Sequence, residues 1–443
     1  MHSATPICDF VSAYRNSGAE RLHMPGHKGA GYLGCEPYDI TEIDGADALY
    51  EASGIIGESE RIAGQHFGSH TFYSTEGSSL AIRAMLFLAA QRSRGKRARV
   101  LAARNVHRTF LSAAALLDLE VTWLYPGRSD SYLSANVTAD AIECALEAES
   151  YCAVYLTSPD YLGRTLDLEP IAKVCHRHRV PLLVDNAHGA YLKFLPVSRH
   201  PIDLGADLCC DSAHKTLPAL TGAAYLHVAQ DDAYGFAAHA KDAMALFGST
   251  SPSYLILQSL DTLNRYLDTY PEQLSAFAEK VDRTKAELTA AGYALIGDEP
   301  LKITIDANAY GYMGKELAEQ LIAQKLVPEF SDPEFLVLML TPQNSEQALP
   351  RLVSVLTALP AKRPVPRGDF PARIPEIAMS VREAMLGESE WIPVGQSAGR
   401  VLASPCVGCP PAVPILMCGE RIDPTAAQMF RFYGFERVKV VKS

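Results

Sequence analysis

The residues least easily explained as structure alone lie in Asp211-Ser212-Ala213-His214-Lys215-Thr216-Leu217-Pro218. A short apolar run, Ala206 to Cys210, precedes them and predicts a buried strand. Long cationic side chains are rarely buried without a partner. A lysine just past such a strand has another use, because its amine can form a Schiff base with an aldehyde cofactor, and pyridoxal phosphate (PLP) is the common one. Alone, Ser-x-His-Lys is a weak signal. Upstream, Val180-Pro181-Leu182-Leu183-Val184 reads as a second buried strand and ends in Asp185-Asn186-Ala187-His188-Gly189. PLP needs an anionic partner for its pyridinium nitrogen, and a carboxylate at the carboxyl end of a buried strand stands where open α/β sheets bind ligands. Taken singly, Asp185 reads more simply as a helix cap or turn residue. The pair, aspartate after one strand and lysine after a later one, is far more specific.

The elements that must position this pair alternate along the chain. Strands are predicted at Val100 to Ala103, Val121 to Tyr125 and Cys152 to Thr157, with helices at His107 to Leu117, Asp140 to Glu149 and Ile171 to His178. Such alternation implies a mostly parallel sheet with helices on both faces. Gly222 to Val228 predicts a further strand, and residues 255–290 long helices. Tyr293 to Ile305 and Phe335 to Leu340 read as strands flanking a helix Lys315 to Gln324, a small α/β domain. A linker, Pro360 to Pro375, and a helix, Ile377 to Leu386, follow. Near the start, a short helix around Asp9 to Ser17 leads into a glycine-rich stretch. From Glu58 a helix runs toward Phe67. Gly77, Ser78 and Ser79 then open the helix Leu80 to Ala90. There, free N–H groups and the helix dipole favour an anion, and a plain serine cap explains the same residues equally well.

At 443 residues, two or three domains are expected. A hydrophobic fraction of 48% argues against disorder, and a net charge of -11 disfavours non-specific nucleic-acid binding. No apolar run is long enough to span a bilayer, and the first residues carry no basic region followed by an apolar core, so neither a membrane anchor nor a signal peptide is expected. The 10 cysteines are scattered, as free thiols in a reducing cytoplasm would be. Cys406 and Cys409 have metal-site spacing with Cys418 nearby, yet no fourth ligand follows at suitable spacing; they are read as loop thiols and no metal is expected. His176 and His178 alternate with arginines and read as solvated.

The chain resembles the Orn/Lys/Arg decarboxylases, PLP enzymes of fold type I with the aspartate aminotransferase architecture. The resemblance runs in order through Leu22-His23-Met24-Pro25-Gly26-His27-Lys28-Gly29, Thr157-Ser158-Pro159-Asp160-Tyr161-Leu162-Gly163, Asp185 to Gly189, Ser212 to Thr221, Pro410-Pro411-Ala412-Val413-Pro414 and Gly419-Glu420. It implies a seven-stranded, mostly parallel sheet in a large domain plus a smaller C-terminal α/β domain. The corresponding organisation is an arm (1–45), a large PLP-binding domain (46–290), a small domain (291–360) and a linker with a C-terminal decarboxylase segment (361–443). It implies that Lys215 carries the cofactor, Asp185 holds the ring nitrogen, His107 stacks on the ring, and Gly77, Ser78, Ser79, Ser212 and His214 surround the phosphate. His188 would orient Asp185, and Lys215 or His214 would return a proton to the α-carbon. The implied reaction is decarboxylation of arginine, lysine or ornithine by at least a homodimer, with the arm around His27 and Lys28 at the interface. Glu420 is a candidate for recognising the substrate's distal cation, with an exposed turn as its plainer reading.

Three positions depart from the family pattern. Glu76 stands where asparagine is common, Ser404 where glutamate is frequent, and Cys409 where tyrosine is usual. A carboxylate beside a phosphate is unfavourable unless it points away. An aminotransferase would use the same lysine and aspartate, though no late arginine motif for an α-carboxylate is evident. A member that binds PLP or a partner without turnover is the other alternative.

Overall fold

The computed structural model describes residues 2–93, 95–125, 131–370, 374–406, 408 and 411–442. Cys409 and Pro410 therefore lie outside the described residues. Contacts divide the chain into two compact units, Met1–Arg92 with Leu168–Leu274, and Ser93–Asp167 with Ser275–Ser443. The architecture is α/β. Seven strands form one sheet: β1 (Ser69–Ser74), β2 (Arg99–Ala103), β3 (Glu120–Leu124), β4 (Ala153–Thr157), β5 (Leu182–Asp185), β6 (Leu208–Asp211) and β7 (Ala224–Ala229). Their order is β1-β7-β6-β5-β4-β2-β3. The pairs β2/β3, β2/β4 and β5/β6 are parallel, and β7 is antiparallel to both β1 and β6.

In the first unit, α1 (Pro6–Asn16), α2 (Ile55–Phe67) and α3 (Ser78–Gln91) precede or follow β1. Helix α1 is held through a buried polar network. The Cys8 N–H donates to Asp261 (2.9 Å), whose other carboxylate oxygen takes the Ser59 hydroxyl (2.5 Å). The arm beyond α1 is tied locally, His27 to Asp39 (3.2 Å) and the Lys28 amine to the His23 carbonyl (2.5 Å). Yet Leu22, Met24, Tyr32 and Leu33 remain exposed. Phe67 closes the core from α2, its ring 4.5 Å from His227 and 5.6 Å from His200.

The second unit contains α4 (Arg108–Leu116), α5 (Ala139–Ala148) and an antiparallel sheet, β10 (Phe330–Ser331), β11 (Phe335–Met339), β9 (Lys302–Asp306) and β8 (Ala294–Ile296) in that order. The stretch expected as one strand from Tyr293 to Ile305 is thus two, interrupted by a turn. The expected helix from Ile377 starts only at Val381. Ser380 caps it and the Glu383 carboxylate closes a capping box, while Ile377 forms a β-bridge with Glu420. A helix at Ala348–Thr357, another at Pro424–Phe432 and the antiparallel pair β12 (Ser389–Pro393) and β13 (Arg437–Val441) complete this unit. β12, β13 and Pro424–Phe432 enclose a small core around Leu402, Ile422, Phe430 and Val440. In the first unit, α6 (Leu168–Arg177) leads into β5, and the four-residue α7 (Ala213–Thr216) follows β6. Among the described residues no helix is long and apolar enough to cross a membrane.

Candidate active site

The site grows from the carboxyl ends of β5 and β6. The two strands are parallel neighbours, and Asp185 pairs with Cys210 in register, so the turns carrying Asp185 and Lys215 leave the sheet side by side. Asp185 is 2% exposed. Its Oδ1 accepts the Ala187 N–H (3.2 Å) and the Cys210 thiol (3.6 Å). Burial first, then the adjacent Asp185 charge, push the Cys210 thiol well above its ordinary range, so it stays protonated and donates. His188 is buried on the same turn.

Beyond β6, Ser212 precedes α7 and Lys215 lies half-buried within it. His214 Nδ1 lies 2.8 Å from the Ala223 carbonyl, to which it donates. Burial chiefly, with the Lys215 charge, lowers its pKa, so the ring is neutral with Nδ1 protonated. The Ser212 hydroxyl donates to that of Ser78 (3.0 Å) at the first turn of α3. Gly77 caps this helix at φ +69°, a left-handed conformation suited to glycine, and supplies no side-chain cap. Its own N–H is spent on the Gly222 carbonyl (2.7 Å). Serine hydroxyls thus converge on a 14-residue helix N-terminus with Ser79 in its first turn, and this arrangement suits an anion. Glu76 is exposed and its carboxylate takes the Ser249 N–H (2.6 Å), which accounts for a negative residue next to this turn.

His107 belongs to the second unit. It is the N-cap of α4, where its Nδ1 accepts the Thr109 N–H (3.2 Å). The Arg108 N–H donates to the Ala412 carbonyl (2.8 Å), and Arg382 donates to the Ala115 carbonyl (2.8 Å) near the far end of the helix. Glu420 corrects an expectation. It is 1% exposed, so it is not an exposed turn. Arg104 grips it with two bonds (2.6 and 2.9 Å), and its Oε2 also takes the Met417 N–H. Both carboxylate oxygens are thus engaged, in a planar bidentate pair with Arg104. Cys406 and Cys418, expected as loop thiols, are buried, and burial pushes the Cys406 thiol up to about 12. His176 is exposed as expected, though it pairs with Asp207 (3.1 Å).

Asn186 and Asp211 stand in the two motif turns, where no role is expected of them from the sequence. The Asn186 amide donates to Asp211 Oδ1 (2.6 Å). Asp211 Oδ2 faces His200 Nε2 (3.0 Å) and His227 Nε2 (3.3 Å), all three side chains being fully buried. Aspartate and asparagine beside the two motif residues were visible signals, whereas the histidines come from other turns and strands.

The sequence profile of the Orn/Lys/Arg decarboxylase major domain matches residues 5–291, and that of the family's C-terminal domain matches residues 369–439. The chain belongs to the Orn/Lys/Arg decarboxylase family. Members of that family decarboxylate basic amino acids. An arginine decarboxylase of Halalkalibacterium halodurans is 30% identical, over 94% of this chain and 91% of the relative. The constitutive lysine decarboxylase of E. coli shares the fold with a TM-score of 0.78 at 19% identity, over 99% of this chain and 82% of that one. A structure described as SPT with PLP internal aldimine shares the fold at a TM-score of 0.56 and 13% identity, over 80% of this chain and 83% of that one.

Proposed function

We propose that this decarboxylase acts on arginine with PLP held through Lys215. The observation that carries the substrate is the likeness to an arginine decarboxylase, at 30% identity over 94% of this chain. The residues present fit the cofactor. Ser78, Ser79 and Ser212 at the start of α3 suit its phosphate, a helix with no side-chain cap being able to receive an anion. Asp185 suits its ring nitrogen, since the carboxylate is buried at a strand end with the neighbouring thiol and amide both donating to it.

PLP, when bound, supplies an electron-accepting ring that delocalises the charge left on the α-carbon as carbon dioxide departs. Asp185 keeps a proton on the ring nitrogen. His188, on the same turn, orients that carboxylate. Lys215 links the cofactor and is the group that returns a proton to the α-carbon. His214 is poorly suited to that step, because its proton sits on Nδ1 and is committed to the Ala223 carbonyl. We assign it instead to the rim of the phosphate cup.

With arginine, lysine and ornithine incubated separately, agmatine and carbon dioxide are expected from arginine at the highest kcat/KM. Cadaverine or putrescine as the main product would overturn the choice of arginine. A keto acid without amine would favour an aminotransferase.

The enzyme is further proposed to work as at least a homodimer through its arm. Exposed Leu22, Met24, Tyr32 and Leu33 support this, since so many large apolar side chains in one short segment suit a covered surface. Sedimentation with a parallel assay is expected to show a dimer wherever activity is full; a fully active monomer would refute it.

A further inference from the structure

Asp211 is fully buried, and nothing in the chemistry above uses it. Burial works to raise its pKa, but the His200 and His227 contacts outweigh that and hold the carboxyl well below its usual range. With an N–H donor on each oxygen, the ionised form, which only accepts, is the form this site favours. His227 is itself kept neutral, by burial first, and its Nδ1 is set by Thr71 (2.9 Å) and Ser69 (3.2 Å). His200, Cys209 and Asp211 form a cluster of metal-ligating types, but His200 Nε2 serves the carboxylate as an N–H donor and burial holds the Cys209 thiol protonated.

On its other side the carboxylate holds the Asn186 amide, and the Asn186 N–H donates to the Cys210 carbonyl (3.0 Å). Asn186 follows Asp185, and Asp211 opens the turn to Lys215. The amide is tightly seated: a Cβ at Gly189 would lie 1.9 Å from its Oδ1, so glycine is required there. We propose that Asp211 is a positioning residue whose carboxylate, braced by His200 and His227, fixes the Asp185 turn against the Lys215 turn through Asn186. The proposal rests on the reading of Asp185 and Lys215 as cofactor residues. Its physical basis is that a misplacement of about 1 Å at reacting groups can cost about 100-fold in rate.

The test uses the full-length PLP-loaded protein and two variants, Asp211→Asn, which sets an NH2 against one of the N–H donors, and Asn186→Ala, which keeps the histidine contacts. Borohydride labelling of the unchanged protein comes first; no adduct on Lys215 would remove the reading beneath the proposal and the proposal with it. With the adduct present, Asn186→Ala is expected to lower kcat by about 10- to 100-fold with KM little changed. The pH midpoint of the bound cofactor's visible band should also move, since Asp185 would sit differently against the ring. Asp211→Asn, if it folds, should do both more strongly. A lowered Tm in Asn186→Ala with kcat and the spectral midpoint unchanged would overturn the proposal and leave the assignment of Lys215 intact.

Discussion

Lys215→Ala is expected to lose turnover by on the order of 10^4-fold, the upper end for a single acid–base group, because both the cofactor link and the returning proton reside in one amine. His214 cannot take over. Its Nδ1 is bonded to the Ala223 carbonyl and its pKa is depressed, so at neutral pH it has no mobile proton to offer. Borohydride treatment of the unchanged protein should leave a pyridoxyl group on Lys215, found by peptide mass analysis. The alanine protein should carry no such group while still binding PLP weakly through the serine-lined turn. An adduct on a different lysine would sink the assignment.

The second large effect is expected at Asp185. Asp185→Asn preserves size, and its amide oxygen can still accept from Ala187 and the Cys210 thiol, so the fold should persist. What disappears is the charge that keeps the ring nitrogen protonated. A preorganised electrostatic group of this kind contributes about 10²- to 10³-fold to kcat. The variant should retain PLP, shown by the same borohydride label, and lose turnover by that factor. Near-unchanged kcat would make Asp185 a structural residue.

The sheet was legible in the sequence because buried parallel strands read as continuous apolar runs, as at Leu182-Leu183-Val184, each closed by a polar turn. The motif turns were legible for the same reason, since Asp185 closes one such run and the segment Asp211 to Lys215 follows another. The C-terminal elements were not. β12 and β13 mix charged and apolar residues, including Trp391 and Lys439, and become a sheet only by pairing with each other across a long separation. The helix Ala348–Thr357 was hidden by Pro350, which is tolerated in its first turn where no intrahelical N–H is required. The exposed-turn reading of Glu420 failed because a carboxylate near glycine looks solvated until its partner, Arg104, is brought to it from far along the chain. Asp211 shows the same limit, since His200 and His227 acquire meaning only once β6 and β7 are paired.

The grip on α4 sets an order of events in synthesis. The Arg108 N–H at its start meets the Ala412 carbonyl, and the Ala115 carbonyl near its end meets Arg382 across 267 residues. A nascent chain can form α4 early but has no means of tethering its ends until nearly all of the protein has left the ribosome. Contacts that close so large a loop are slow to form and leave apolar surface uncovered in the interval. A chain that stops before Arg382 should therefore leave α4 without either tether and give a smaller soluble fraction than the intact chain when the two are expressed side by side.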